Sequence, residues 1–96
     1  MAVTVIAKMR AKNGLADRVE GVLKSLIGPT RGEGGCVEYR LHQSSEDAAV
    51  FMFYETWESQ ADLDEHLRKP YLQDLISKAD ELFDGEMEVS TWREFD

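Results

Sequence analysis

The sequence has little cysteine, histidine or positive charge, and each shortage excludes a class of protein. Its single cysteine, Cys36, allows no internal disulfide and no cysteine-based zinc site of the usual four-ligand kind. Its two histidines lack a His-x-x-x-His or equivalent carboxylate spacing, so a metal site has little support. The 11 Lys and Arg residues are scattered among 19 Asp and Glu residues, for a net charge of −8. A nucleic-acid partner, which needs clustered cations, is therefore not expected.

The sequence also lacks an apolar run long enough to cross a membrane, and no secretory leader is recognisable at its N-terminus. We therefore expect a cytoplasmic protein without a membrane partner. Its 43% hydrophobic and 31% charged content is ordinary for a globular protein, and its 96 residues predict a single domain over 1–96. A domain of this size removes only about 60 to 65% of its unfolded surface from water, so dimerisation would add useful burial.

Apolar periodicity predicts four strands and two helical regions along the chain. Strands are expected at 3–12, at 36–44, from position 50, and at 87–95. Helices are expected at 15–27, interrupted by Gly28-Pro29, and from about 59 to 83, broken at Pro70. The order β-α-β-β-α-β predicts a ferredoxin-like α+β fold, in which helices pack on one face of an antiparallel four-stranded sheet.

The third strand has an unusual composition. Val50, Phe51, Met52, Phe53 and Tyr54 do not alternate between polar and apolar, so both faces of the strand are expected to need cover. One short chain with few helices cannot easily supply that cover. We therefore expect a homodimer in which two sheets pack face to face.

The helix after this strand carries the leading functional candidate. Ser59 and Asp62 have the spacing of a capping box, with the serine accepting from a free amide and the acid reaching back to the serine amide. Downstream, His66 shares one helical stripe with Leu63 and Leu67, which places an imidazole among leucines. A packed core histidine is the commoner outcome at such a position, but His66 is the best candidate for a catalytic base.

Glu55 is the second catalytic candidate, because it lies within the apolar third strand. A four-residue turn at 45–48 would place Arg40 on the same face as Glu55, and a buried carboxylate without a partner is costly. A structural ion pair is slightly favoured over a direct catalytic role. Both residues are nevertheless candidates for the site, Glu55 in catalysis and Arg40 in substrate binding.

Four aromatic residues are large enough to line a pocket for an aromatic ligand, and their polar ends could orient a hydroxylated substrate. They are Tyr39, Tyr54, Trp57 and Tyr71. Most aromatic residues in strands are simply core. Tyr54 and Tyr71 are the preferred pocket residues, Tyr71 because it follows Pro70 on the same side of the break as His66.

Several features in order resemble the antibiotic biosynthesis monooxygenase family over nearly the whole chain. They are the first strand with Asn13-Gly14, Pro29-Thr30-Arg31, Gly35-Cys36 with Tyr39, Phe53-Tyr54-Glu55-x-Trp57, and Leu63-Asp64-Glu65-His66-Leu67. The resemblance implies a homodimeric α+β barrel of ferredoxin-like protomers, each with a pocket between sheet and helices. Many members of the family are described as quinol or polycyclic-phenol monooxygenases that use O2 without a metal, flavin or haem. Others break down haem or isomerise a small signalling sugar derivative.

The haem-degrading branch of the family is distinguished by three pocket positions. Its asparagine, its tryptophan and its iron-binding histidine fall at Met9, His66 and Ile76 of this sequence. All three residues are replaced here, so haem degradation is not expected, and no cofactor is expected.

The leading hypothesis is a monooxygenase that acts with O2 on a quinol or polyhydroxylated aromatic compound, with His66 as general base. An imidazole with a pKa near 6.5 can take the proton of a phenol and leave an electron-rich anion that reacts more readily with O2. One alternative is an isomerase or tautomerase in which His66 and Glu55 move a proton without oxygen. The other is a dimer that binds a small ligand without turnover.

Overall fold

The computed structural model describes all 96 residues and confirms the ferredoxin-like α+β fold. The elements are β1 (Val3–Arg10), α1 (Ala16–Lys24), α2 (Ile27–Arg31), β2 (Cys36–Gln43), β3 (Val50–Trp57), α3 (Gln60–Leu67), α4 (Pro70–Ser77), α5 (Ala79–Leu82) and β4 (Glu88–Trp92). The four strands form one antiparallel sheet in the order β2-β3-β1-β4. No helix has the length and apolar character needed to cross a membrane.

Both predicted helical regions are divided more finely than the sequence pattern suggests. The first ends at Lys24, and a new short helix, α2, contains Pro29 within it. The break therefore lies before the predicted Gly28-Pro29 position, at Leu26, whose amide bonds the Leu23 carbonyl at 3.1 Å instead of continuing the ladder of α1. The last region starts with Pro70 in its first turn, as predicted, but divides at Lys78, whose amide donates to the carbonyls of both Asp74 and Leu75.

The two faces of the sheet differ sharply in burial. In β3, Phe51, Phe53, Glu55 and Trp57 are buried, whereas the side chains between them are only half-buried. The chain itself therefore covers only one face of β3, and the other face keeps the apolar side chains that are expected to need cover from outside the chain. No strand residue on the second face is buried anywhere in the sheet. We call this second face, which includes Ile6, Met52 and Tyr54, the open face.

The β2–β3 hairpin contradicts the predicted pairing of Arg40 with Glu55. The register pairs Tyr39 with Glu55 and Arg40 with Tyr54, so odd positions meet odd positions. A slip of one residue moves every side chain to the opposite face, which puts Arg40 and Tyr54 on the open face, away from Glu55. The connection is longer than predicted: the Ser44 amide bonds the Val50 carbonyl at 2.8 Å.

Polar side chains shape this longer connection from within. The Ser44 hydroxyl accepts from the amides of Glu46 and Asp47, each at 3.2 Å. The Asp47 carboxylate accepts from the Ala49 amide at 3.0 Å. Such local bonds between side chain and backbone replace the tight turn that the sequence suggests.

The start of α3 confirms Ser59 as its cap. Its hydroxyl accepts from the Asp62 amide at 3.2 Å and donates to the Asp62 carboxylate at 2.8 Å. The carboxylate therefore bonds the serine hydroxyl rather than the serine amide that the capping-box prediction names. The Asp62 side chain also lies against Gly35, where a Cβ atom would come 2.1 Å from Asp62 Cγ. This contact, with the bond from the Glu58 amide to the Gly35 carbonyl at 2.9 Å, fixes the start of α3 against the turn before β2.

Replacement of Gly35 by alanine should destabilise the protein, because the new methyl group meets the Asp62 side chain and the cap of α3 must shift. Overpacking of this kind typically costs about 1 to 3 kcal/mol. Urea unfolding of Gly35→Ala and Gly34→Ala provides the comparison, since a Cβ atom on Gly34 meets nothing within 4 Å. Equal free energies of unfolding for the two variants would show that the close approach at Gly35 has no energetic importance.

Candidate active site

A cavity of about 400 Å³ lies between the sheet and helices α3 and α4. Most of its wall is apolar, and Glu55, His66, Gln60 and Thr91 are the polar exceptions. Three further residues that line it, Leu67, Ile76 and Val89, are 43%, 45% and 60% exposed, so the cavity has an apolar mouth. A separate hollow of about 470 Å³ along the edge strand β2 includes neither Glu55 nor His66. The first cavity is therefore the candidate site.

His66 is held firmly in the wall of this cavity. It is only 2% exposed, and its Nδ1 lies 2.8 Å from Oε2 of Glu33. Its ring centroid lies 4.5 Å from that of Trp57 and 5.6 Å from that of Tyr39. The other ring nitrogen, Nε2, has no hydrogen-bond partner in the chain and keeps accessible surface. Burial lowers the pKa of His66, and the bond to Glu33 opposes that effect only in part.

Glu33 is the residue that sequence reasoning missed. It lies in the glycine-rich turn between α2 and β2, yet its side chain is just 8% exposed. The same oxygen that meets His66 also accepts from the Tyr71 hydroxyl at 2.5 Å. These partners are 33 and 38 positions away along the chain, and no local pattern in the sequence points to them.

Glu55 is buried without a cation. It is 5% exposed, and its Oε1 accepts from Nε1 of Trp57 at 2.9 Å. The proposed ion pair with Arg40 is wrong, because Arg40 lies on the open face and pairs with Glu38 at 3.1 Å. Burial raises the pKa of Glu55 to about 7; the Trp57 bond opposes this rise, and the negative charge of Glu33 adds to it. Glu55 can therefore either give or take a proton near neutral pH.

The four aromatic candidates have different positions. Tyr39 lines the cavity and stacks on Phe53 at a centroid distance of 4.5 Å, and burial raises its pKa, so it remains a neutral phenol. Trp57 is fully buried behind Glu55 and His66. The Tyr71 hydroxyl bonds Glu33 instead of lining the cavity, and burial together with that bond raises its pKa to about 12. Tyr54 lies on the open face, because the register turns it away from the cavity.

The structure therefore brings His66, Glu55 and Tyr39 together around one cavity. Met9 and Ile76 line the same cavity, so all three positions that distinguish the haem-degrading branch meet there. Ile76 offers only carbon where that branch has its iron-binding histidine. No three His, Cys, Asp or Glu side chains are grouped so that they could hold a metal ion.

Comparison with known proteins identifies one matching family. The family described as antibiotic biosynthesis monooxygenase matches residues 2–78. The chain is 31% identical over 80 residues to "Putative monooxygenase Rv0793" of Mycobacterium tuberculosis. The aligned region covers 83% of this chain and 78% of that protein. It is 24% identical over 91 residues to "Uncharacterized protein sll1783" of Synechocystis, covering 95% of this chain. The chain spans only 62% of the length of that Synechocystis relative.

Solved structures agree with the fold. The structure of Rv0793 superposes with a TM-score of 0.94 at 27% identity, covering 100% of this chain and 97% of that one. The structure of PA3566 from Pseudomonas aeruginosa also gives a TM-score of 0.94 at 27% identity, covering 99% and 95% of the two chains.

Glu55 should make the stability of the protein depend on pH. Because its pKa is raised from 4.5 to about 7 on folding, the folded state binds the proton more tightly. Its contribution to the free energy of unfolding is fully present below pH 4.5 and is lost as the pH rises to about 7, a loss of about 3 kcal/mol. Glu55→Gln keeps an oxygen for Trp57 but removes this titration.

Urea unfolding of both proteins between pH 4 and pH 8 measures the effect. We expect the stability of the wild type to fall by about 3 kcal/mol relative to Glu55→Gln across that window. Parallel stability curves would show that Glu55 titrates alike in the folded and unfolded states.

Proposed function

Because this chain belongs to the antibiotic biosynthesis monooxygenase family, we propose that it oxidises a quinol or polyhydroxylated aromatic compound with O2 and without a cofactor. The observation that supports this proposal is the pairing of two groups in one apolar cavity. These are a buried imidazole with a free nitrogen and a carboxyl group that titrates near pH 7.

His66 is the general base in this proposal. Burial lowers its pKa from 6.5, so the imidazole is neutral at pH 7 and one of its nitrogens can accept a proton. Nε2 has no partner in the chain, and we assign the acceptor role to it. A phenolic hydroxyl bound in the cavity gives its proton to Nε2. The resulting phenolate lies among apolar side chains, where it is poorly solvated and electron-rich.

The oxygen chemistry balances without an added reductant. The phenolate gives an electron to O2, and the two radicals combine to form a bond between oxygen and a ring carbon. Loss of the hydrogen on that carbon and cleavage of the O–O bond leave one oxygen atom on the ring, while the other departs as water. A hydroquinone and O2 thus yield a hydroxyquinone and water, and all the electrons come from the substrate.

Glu55 supplies the proton that the departing oxygen needs. With a pKa of about 7, its protonated form is well populated at neutral pH. A poorly solvated acid of this kind donates readily to an anion that develops in the same cavity. Tyr39, a neutral phenol in the wall, can orient the substrate through its hydroxyl.

An isomerase is the second candidate, and the raised pKa of Glu55 favours it as well. His66 and Glu55 could remove a proton from one carbon and return it to another with no redox change. Oxygen dependence separates the two functions, because only the monooxygenase consumes O2.

We also propose that the protein is a homodimer that buries the open face. Ile6 and Tyr54 are neighbours at the middle of that face and are only half-buried within one chain. Light scattering should therefore give a mass near twice the 10.9 kDa of one chain. Ile6→Glu should shift the protein toward monomer while its circular dichroism stays native. A native wild-type protein that remains a monomer at micromolar concentration would exclude the dimer.

Loss of the base should reduce turnover strongly. General-base catalysis is typically worth a factor of about 100 to 10,000, so His66→Ala should lower kcat with a hydroquinone by at least about 100-fold and change KM much less. The control is His42→Ala, which removes the exposed histidine of β2. Oxygen uptake measures the rate, and labelled O2 should place one labelled atom in the product. Retained activity in His66→Ala would exclude the base, and conversion without oxygen would exclude the reaction class.

The pH profile should be bell-shaped in the wild type. Activity should rise with pH as His66 loses its proton, at a pH below 6.5 because burial lowers the pKa of this histidine. It should fall again near pH 7, where Glu55 loses its proton. Glu55→Gln should remove the alkaline limb. A wild-type profile that is flat above pH 7 would show that Glu55 is not the acid.

A further inference from the structure

We propose that Glu33 is the positioning residue of this site: it holds the proton of His66 on Nδ1 and so keeps Nε2 as the nitrogen that meets the ligand. Only the catalytic consequence of this inference, that Nε2 takes the proton of the substrate, rests on the proposed function. The geometry and the experiment below concern the free protein and need no substrate.

The contacts of Glu33 are unusual for a residue in a turn. One oxygen, Oε2, meets both Nδ1 of His66 at 2.8 Å and the Tyr71 hydroxyl. The side chains of His66 and Glu33 are 2% and 8% exposed. A carboxylate is an acceptor only, so it requires a hydrogen on each of these two partners. The phenol can supply one from its hydroxyl, and the imidazole must then supply the other from Nδ1.

The tautomer of His66 follows from this requirement. A neutral imidazole has one hydrogen, and if Nδ1 holds it, Nε2 is the acceptor. Nε2 has no partner in the chain and keeps accessible surface, and the residue lines the cavity. Glu33 makes the one side-chain hydrogen bond of His66, and the neighbouring rings of Trp57 and Tyr39 bond neither of its nitrogens.

Other charged and titratable groups surround His66 but do not replace Glu33. Lys69, just beyond α3, disfavours the imidazolium, and burial does so more strongly. Tyr39 of β2 is a neutral phenol in contact with the ring, and Glu55 of β3 bonds Trp57. Glu33 is thus the one acid that bonds the imidazole directly. Its bond and its charge raise the pKa of His66, against the lowering that burial causes.

Tyr71 has a separate part in this arrangement. Its hydroxyl shares the oxygen that His66 bonds, and so draws some of the negative charge of the carboxylate away from the imidazole. Loss of that hydroxyl should strengthen the bond that His66 Nδ1 donates to Glu33. Glu33→Gln and Tyr71→Phe are therefore expected to act in opposite directions on the same histidine.

Nitrogen NMR of the free protein tests this inference. The chain has two histidines, so an imidazole spectrum contains one pair of nitrogen signals from His66 and one pair from His42, which His42→Asn assigns by its loss. In the wild type above pH 7 we expect the hydrogen of His66 on Nδ1. In Glu33→Gln the tautomer should become mixed, because an amide can either donate or accept, and the titration midpoint should move to lower pH. In Tyr71→Phe the midpoint should move to higher pH. The His42 signal is the internal control and should not move in either variant.

The tautomer and the titration midpoint of His66 decide whether Glu33 has this positioning role. A wild-type His66 with its hydrogen on Nε2 overturns the inference without any variant, even if Glu33→Gln fails to fold. An unchanged tautomer and midpoint in a folded Glu33→Gln protein overturns it as well. If the NMR results are as expected but no hydroquinone is oxidised, the positioning role stands and the proposed monooxygenase reaction fails.

Discussion

The hydrogen bond between Glu33 and His66 joins parts of the fold that lie far apart along the chain. It ties the turn after α2 to the buried face of α3, and Tyr71 extends the same connection to α4. An unpaired polar group in such a place would cost about 1 to 3 kcal/mol, so the bonds among these three side chains stabilise the junction. The close approach of Asp62 to Gly35 supports the same junction from the other end of the turn.

The charge distribution of the cavity is set by Glu55, a buried carboxyl group with no cation beside it. Two carboxylates, Glu33 and Glu55, influence one another across a poorly solvated region. Glu33 has two hydrogen-bond donors, whereas Glu55 has only the indole of Trp57. Burial raises the pKa of Glu55 into the neutral range, the negative charge of Glu33 adds to that rise, and the single bond from Trp57 opposes it only in part. The neutral imidazole beside it completes an acid and a base that coexist near pH 7.

The sheet separates this chemistry from the rest of the surface. One face holds every buried strand residue and the cavity, and the open face holds half-buried apolar side chains mixed with charges. The cavity is also close to the outside, because Leu67, Ile76 and Val89 line it and yet are partly exposed. The cavity therefore meets the surface of the chain through an apolar mouth.

The sequence alone was sufficient for the order of the elements, the cap at Ser59, and the placing of His66 on the buried stripe of α3. These features depend on local periodicity and on contacts a few residues apart, which any single sequence displays. Glu55 is conspicuous in the sequence as a carboxylate inside an apolar strand, and the structure places it in the wall of the cavity. The family resemblance, which rests on motifs spread along the chain, agrees with the match over residues 2–78.

The partners of these residues were decided only by the tertiary structure. One extra residue in the β2–β3 connection reversed the parity of the hairpin, and so moved Arg40 and Tyr54 to the open face. Glu33 meets His66 across 33 positions, through a turn whose sequence shows only glycine and charge. Such contacts depend on how separate elements pack and on which group is left without a partner, and neither is encoded in a local spacing.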